Sequence, residues 1–250
     1  MARRILRPSK KNNLLVRDAD VLQQKREAVA DAAFELFLKE GFHRTTTRAI
    51  ARRAGVSAGA PFTYFRDKED ILLYIISKEQ DRAEKQLVEV LSRQIAEATR
   101  TGADPEAVLA TVVTTFLRAV DLLRRFILLA YQETKSLNSE ARQALIGREK
   151  RLQAIIGEAI RYGAERGRFA SDNIPLKAHS IMVLAQAWAV RRWAFVGELE
   201  SIEDYIAFLL PQVLAMVEQG AGAREPTAKR PRLTAVRADA AKEQTGISTK

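Results

Sequence analysis

The stretch "TTTRAIARRAGVSAGAPFTYFRDKEDIL", residues 45–72, decides the fold class of this chain. It contains two short helical patterns around a Gly-Val-Ser turn, with Gly55 suited to the tight turn. Two short helices joined in this way are typical of a helix-turn-helix. From Gly41 to Arg66 there are five arginines and no acidic residue. Because a carboxylate here would face phosphate at close range, the window favours binding to DNA.

Helical periodicity dominates the remainder of the chain, and no segment alternates as a strand would. Three short helices are expected first. The first ends at Gly41, the second covers 48–54, and the third covers 58–65 with Ser57 as its cap. Six longer helices are predicted over 68–98, 105–123, 125–135, 139–167, 174–197 and 202–219. The sequence therefore predicts an all-α protein, with an N-terminal three-helix helix-turn-helix domain and a C-terminal six-helix bundle.

The formal net charge of +10 is concentrated at the two ends of the chain. Residues 1–20 and residues 221–250 each carry a net +4, which leaves +2 for everything between them. Basic segments that lack apolar periodicity are not expected to pack. We therefore predict a flexible basic arm over 1–20, the helix-turn-helix domain over 21–67, a larger helical domain over 68–220 and a disordered basic tail over 221–250.

The residue types on which enzymes and metal proteins depend are missing or scattered. The chain has no cysteine, which excludes disulfides and thiolate chemistry. Its histidines are His43, inside the helix-turn-helix unit, and His179, within an apolar helix. No glycine-rich phosphate loop follows a strand, so we expect no enzyme activity, no metal site and no cofactor. No secretion signal or membrane-spanning segment is visible, so a cytoplasmic protein without a membrane partner is predicted.

One alternative is an architectural protein that binds DNA without sequence choice through its basic ends. That class would explain the charge at both ends of the chain. It gives no role to a separate six-helix domain, which a sequence-specific regulator would use.

The segments "AAFELFLKEGF", "TTTRAIARRAGVS", "GAPFTYF" and "KEDIL" occur in order between residues 25 and 73. Together they resemble the DNA-binding domain of the TetR family of bacterial transcriptional regulators. Two positions depart from the commonest family pattern: Pro61 replaces an aliphatic residue, and Ala49 replaces an acid. With Ser57 as the cap, Pro61 would be the fourth helical residue, where its missing N–H costs little.

The resemblance and the residue types together define the expected DNA contacts. The family pattern implies phosphate contacts at the second helix and at the start of the fourth, here Thr46, Thr47, Arg48 and Lys68. In the third helix, small residues allow a close approach to the major groove and larger ones reach base edges, at Ser57, Ala58, Gly59, Ala60, Phe62, Thr63 and Tyr64. Arg52 and Arg53 either contact DNA or form a solvated helix face.

The resemblance also implies that the larger domain binds a small-molecule effector and forms a homodimer. The predicted eighth and ninth helices are apolar enough to form a four-helix interface with a second copy, or else an internal core. Phe116, Tyr131 and Trp188 are the aromatic candidates for an effector cavity. Neighbouring arginine pairs favour an apolar effector with an anionic group, such as an acyl-CoA or an aromatic acid. The expected function is a repressor released from a palindromic DNA operator by this small-molecule effector.

Overall fold

The computed structural model describes residues 10–218, without the side chains of residues 10–19 and 79–83. Over this range the chain forms nine α-helices, two short 3-10 helices and one isolated bridge in place of any sheet. The all-α prediction is confirmed. The tail predicted over 221–250 lies outside the described residues.

The α-helices follow the order of the predicted ones. They are α1 Lys10–Glu40, α2 Thr47–Arg53, α3 Pro61–Tyr64, α4 Lys68–Thr101, α5 Pro105–Leu122, α6 Arg124–Glu133, α7 Ser139–Ala164, α8 Ile174–Val190 and α9 Ile202–Val217. The 3-10 helices are Thr134–Ser136 and Arg192–Phe195. Within residues 10–218, every helix is too short or too polar to cross a bilayer.

Capping residues explain several helix starts that the sequence predicts. The carboxylate of Asp67 accepts from the N–H of Asp70 at 2.7 Å, and Asp104 caps α5 in the same way. α9 has the expected capping box, in which the Ser201 hydroxyl accepts from the N–H of Asp204 at 3.2 Å. The Asp204 carboxylate accepts in return from the N–H of Ser201 at 2.9 Å. Each cap satisfies an amide that has no partner within the helix.

α1 begins earlier than predicted, because the basic arm expected over 1–20 is helical from Lys10 onward. No proline or glycine interrupts α1. A helix whose C-terminal half is anchored by the buried Val29 and Phe37 therefore continues toward the N-terminus. Residues 10–20 of the predicted arm therefore belong to α1, and residues 1–9 lie outside the described residues.

α3 is shorter than predicted: it covers Pro61–Tyr64 and has no side-chain cap. A helix over 58–65 would need an N–H at position 61 to donate to the carbonyl of Ser57, and proline has none. That carbonyl instead accepts from the N–H of Ala60 at 2.9 Å, as part of a turn. Pro61 is therefore the first residue of α3 rather than the fourth, and the capping role predicted for Ser57 is wrong.

α8 also ends earlier than predicted, at Val190, before the 3-10 turn Arg192–Phe195. The rings of Trp188 and Phe195 stack with their centroids 6.3 Å apart. In a continuous α-helix, residues seven positions apart are separated by about 10.5 Å along the axis, so this contact requires the chain to turn. The turn also places Phe195 against Tyr205 of α9, with the centroids 5.2 Å apart.

Two large clusters of buried side chains hold the described helices together. The first lies in the helix-turn-helix domain and includes Phe37 and Ile50. The second fills the larger domain among α4, α5, α7, α8 and α9, around Trp188. Phe126 and Leu129 of α6 belong to the first cluster, although the sequence places them in the larger domain. The helix-turn-helix domain is thus packed onto the larger domain through α6.

Candidate DNA-binding surface and effector cavity

α2 presents its arginines to solvent and buries its apolar face. The hydroxyl of Thr46 accepts from the N–H of Ala49 at 3.1 Å and caps the first turn. Ile50 is fully buried, whereas Arg48 and Arg52 are exposed. This helix therefore exposes cationic side chains to solvent.

α3 has one buried face and one exposed face. Gly55 has a φ of +69°, a left-handed conformation that favours glycine. Pro61 and Phe65 are buried and anchor α3 from below. On the opposite side Thr63 is exposed, and 56% of the surface of Phe62 is exposed, a large fraction for an apolar ring. An exposed aromatic residue beside a threonine is suited to contacts with base edges and thymine methyl groups.

The predicted DNA contacts fall into two groups by exposure. The exposed residues are Thr46, Arg48, Ser57, Ala58, Gly59, Phe62 and Thr63, and the half-buried ones are Thr47, Ala60, Tyr64 and Lys68. The structure brings both groups together on α2, α3, the turn between them and the start of α4. They form one continuous segment that carries no acidic residue before Asp67.

Lys68 is held inside the helix-turn-helix domain. Its ammonium donates to the carbonyl oxygens of Phe42 at 2.7 Å, Thr45 at 3.1 Å and His43 at 3.4 Å. The same nitrogen lies 4.3 Å from the centroid of the Phe42 ring. Because an ammonium has three N–H groups, these contacts occupy its donors and tie the loop after α1 to the start of α4.

A cavity of about 150 Å³ lies among α4, α5, α6 and α7, and Gln186 of α8 closes one side. Phe116 lines it from α5 and is almost fully buried. Tyr131 lines it from α6 and is 68% exposed, which places this side chain at the mouth. Most of the other lining residues are aliphatic or aromatic, so the interior is suited to an apolar group.

Trp188, the third aromatic candidate, does not line this cavity and lies in the core of the larger domain. Its indole N–H donates to the Asp121 carboxylate at 2.8 Å, and its ring stacks on Tyr205 with the centroids 5.3 Å apart. Only 1% of its surface is exposed. Asp121 and Tyr205 both lie outside α8, so the spacing of apolar residues within that helix could not show whether Trp188 belongs to the core or to the cavity wall.

Five of the residues that line the cavity are polar: Glu84, Thr134, Arg148, Glu149 and Gln186. Glu84 of α4 lies between two arginines of α7: its carboxylate is 2.6 Å from the Nε atom of Arg151 and 3.4 Å from that of Arg148. Glu84 and Arg148 both line the cavity, and their side chains are only 13% and 12% exposed. This pair could not be found from the sequence, because Glu84 and Arg148 are far apart in the chain and resemble the surface charges around them.

The apolar residues of α8 and α9 fall into two groups, buried and exposed. Tyr205, Leu209 and Val213 are buried in the core of this chain, so the internal-core alternative holds for them. Val183 of α8 and Phe208 of α9 are 51% and 56% exposed. Apolar side chains are therefore left exposed on these two helices.

Two family models match the chain and together cover more than half of it. The model described as "Bacterial regulatory proteins, tetR family" matches residues 29–75, and "Tetracyclin repressor-like, C-terminal domain" matches residues 102–193. The chain belongs to the TetR family.

Individual TetR-family proteins support the same conclusion. HTH-type transcriptional regulator HbdR of Aromatoleum sp. (strain CIB) is 32% identical over 215 residues, covering 85% of this chain and 90% of HbdR. HTH-type transcriptional repressor KstR2 of Rhodococcus jostii (strain RHA1) is 25% identical over 191 residues, covering 76% of this chain and 89% of KstR2. Among solved structures, FadR of Bacillus subtilis in complex with stearoyl-CoA has a TM-score of 0.56 at 22% identity, covering 78% of this chain and 99% of FadR.

The family match coincides with the two candidate regions. The tetR model includes every predicted DNA contact from Thr46 to Lys68, and the C-terminal model includes Phe116, Tyr131 and Arg148 of the cavity. This TetR-family protein is a DNA-binding transcriptional regulator. Among residues 20–78 and 84–218, whose side chains the structure describes, no group of histidine and acidic side chains is arranged to hold a metal ion.

Proposed function

We propose that this TetR-family protein is a homodimeric repressor that a small apolar effector, an acyl-CoA or an aromatic acid, releases from a near-palindromic operator. The observation that carries the proposal is the position of Phe126. This side chain lines the cavity and is also buried in the core of the helix-turn-helix domain. One residue thus belongs to both the effector site and the DNA-binding unit.

We assign the recognition of DNA bases to α3 and to the turn before it. Phe62, Thr63 and the half-buried Tyr64 would contact bases, while Thr46 and Arg48 of the neighbouring helix would contact phosphates. The three hydrogen bonds of Lys68 favour a different role for its ammonium, which shapes the loop before α2.

Dimerisation is assigned to α8 and α9, whose exposed Val183 and Phe208 would pack against the same helices of a second copy. A two-fold symmetric protein requires an operator with the same symmetry. The recognition helices of such a dimer would enter successive major grooves about 34–36 Å apart.

Coupling between the effector site and DNA is assigned to α6 and α4. The ring of Phe126 stacks on Phe34 of α1 with the centroids 6.0 Å apart, and the adjacent Arg125 donates to Glu35 of α1 at 2.7 Å. α4 begins beside α3 and lines the cavity with Glu84. A ligand that widens the cavity would displace both helices and change the spacing of the recognition helices. A coupling free energy of about 1–3 kcal/mol would release DNA about 5–150-fold.

The volume of the cavity limits the size of an effector that can bind without movement of the helices. A dry cavity of about 150 Å³ lined by aliphatic and aromatic side chains holds a benzene-sized molecule in another protein. A single ring or a short acyl chain therefore suits the cavity of about 150 Å³ in this protein. A long chain, such as the stearoyl group bound to FadR, would require the helices to move apart.

Genome-wide footprinting of the tagged protein tests the proposal. We expect binding at a small number of near-palindromic sites, and Tyr64→Ala should cost about 1–3 kcal/mol at such a site. Binding spread evenly over the chromosome would instead support the architectural class. Unchanged operator affinity and base preference in Tyr64→Ala would remove this residue from the reading surface.

A further inference from the structure

The charged residues that the structure describes around the cavity are two acids and one base. Glu84 and Glu149 carry negative charge and Arg148 carries positive charge. Arg148 already lies 3.4 Å from the carboxylate of Glu84. A free carboxylate that entered this cavity would lose its hydration and approach two acidic side chains, so its burial would be unfavourable.

Gln186 of α8 supplies an uncharged polar group to the cavity wall. It is half-buried, and its amide has no hydrogen-bond partner among the residues whose side chains the structure describes. Thr134 also lines the cavity, but its hydroxyl donates to the carbonyl oxygen of Ala130 at 2.6 Å. The amide of Gln186 therefore retains two N–H donors and a carbonyl acceptor for a ligand.

An amide on an otherwise apolar wall favours a particular kind of ligand. A small apolar molecule fills the interior, and one neutral polar group on it pairs with the amide. A carbonyl oxygen is such a group, because it accepts from an N–H and brings no net charge. A ligand without it would leave the amide unpaired and desolvated, which costs free energy.

We propose that Gln186 donates a hydrogen bond to a neutral carbonyl oxygen of the effector, whose buried part is a single ring or a short acyl chain. This inference rests on the proposed effector site and specifies the chemistry of its ligand. An acyl or aroyl group bound as a thioester or an ester meets the requirement. A free acid does not, because its carboxylate is charged.

Three probes of similar shape test the preference with the full-length protein: acetophenone, α-methylstyrene, in which a CH2 group replaces the carbonyl oxygen, and benzoate. Calorimetric titration of the wild type should show acetophenone binding at least about tenfold more tightly than benzoate, because the cavity does not compensate the carboxylate charge. Benzoate binding as tightly as acetophenone, or more tightly, would overturn the inference.

Replacement of Gln186 tests the hydrogen bond itself. Gln186→Leu should weaken the binding of acetophenone relative to that of α-methylstyrene about three- to tenfold, because only acetophenone loses a hydrogen bond. The comparison of two ligands in one variant cancels the effect of the substitution on the apolar volume. Gln186→Met should give the same result, and the melting temperature shows which variants are folded. An unchanged affinity ratio in either folded variant would contradict the assignment.

Two esters distinguish the sources of the carbonyl group. Benzoyl-CoA is a thioester and methyl benzoate is an oxygen ester, and the one that binds the wild type more tightly identifies the source. Each ester that binds should lose affinity in Gln186→Leu by about the same factor as acetophenone. An ester that binds both proteins equally would count against the role of Gln186.

Thr134→Val is the matched control within the same cavity. It also removes a polar group from the wall, but the hydroxyl of Thr134 is bonded to Ala130, so the affinity ratio of acetophenone to α-methylstyrene should not change. Failure of the proposed function looks different from failure of this inference. In the first case no operator is found or no ligand releases it. In the second case acetophenone releases the operator at the same concentration from wild type and Gln186→Leu.

Discussion

Replacing Lys68 with Met tests whether this residue contacts DNA or organises the protein. The family pattern implies a phosphate contact, whereas the structure shows the ammonium donating to carbonyl oxygens of the loop after α1, at 2.7 Å to Phe42 and 3.1 Å to Thr45. Hydrogen bonds from charged groups contribute about 1.5–3 kcal/mol each, and solvent screening at this half-buried position reduces the sum to about 2 kcal/mol. We therefore expect Lys68→Met to lower the melting temperature by about 4–8 °C.

The salt dependence of operator binding separates the two roles. Loss of one phosphate contact per subunit lowers the slope of log K against log salt by about 0.9, or about 1.8 for a dimer. Lys68→Met should leave the slope unchanged while operator affinity falls. Arg48→Met is the matched control: its side chain is exposed, so we expect a lower slope and an unchanged melting temperature. A slope reduced by about 1.8 in Lys68→Met, with unchanged stability, would refute the assignment.

Three further changes test other parts of the structure. A Cβ added at Gly163 of α7 would overlap the ring of the fully buried Phe169, so Gly163→Ala should lower the free energy of unfolding by about 1–3 kcal/mol in chemical denaturation. The hydrogen bond from Arg125 lowers the pKa of Glu35. The contact therefore stabilises the fold fully at a pH above the ordinary carboxyl pKa, and this stabilisation is lost as the pH falls through the lowered pKa. Glu35→Gln should therefore cost at most about 1 kcal/mol at pH 7 and progressively less as the pH falls through the lowered pKa of Glu35, and a cost that stays constant on acidification would contradict the linkage. Phe208→Asp should shift the protein toward monomer in sedimentation velocity, and an unchanged dimer would place the interface elsewhere.

Features that depend on neighbouring residues could be predicted from the sequence. The starts of α4, α5 and α9 follow from Asp67, Asp104 and Ser201, because a capping side chain bonds to an amide only a few positions away. The start of α3 could not be placed in the same way. There Pro61 removes the amide that a longer helix would need, and this effect outweighs the capping tendency of Ser57.

The candidate effector site could be predicted from the sequence only in part, because it is formed by pairs of residues that are distant in the chain. Trp188 and Phe116 are similar as buried aromatic residues on apolar helices. The contacts of Trp188 with Asp121 and Tyr205 show that it belongs to the core instead of the cavity wall. Glu84 and Arg148 resemble ordinary surface charges in the sequence. The packing of α4 on α7 removes both side chains from most of the solvent.

The shared position of Phe126 limits how the ligand specificity of this protein can be changed by evolution or by engineering. A substitution at Phe126 reshapes the cavity and also the core beneath the recognition helices, so a new specificity gained there would alter operator affinity in the absence of any ligand. Phe116 and Leu152 line the cavity from the side of the larger domain and pack in its own core. A library for a biosensor should therefore vary Phe116 and Leu152 and keep Phe126 fixed, so that selection for a new ligand does not also select for a changed basal level of transcription.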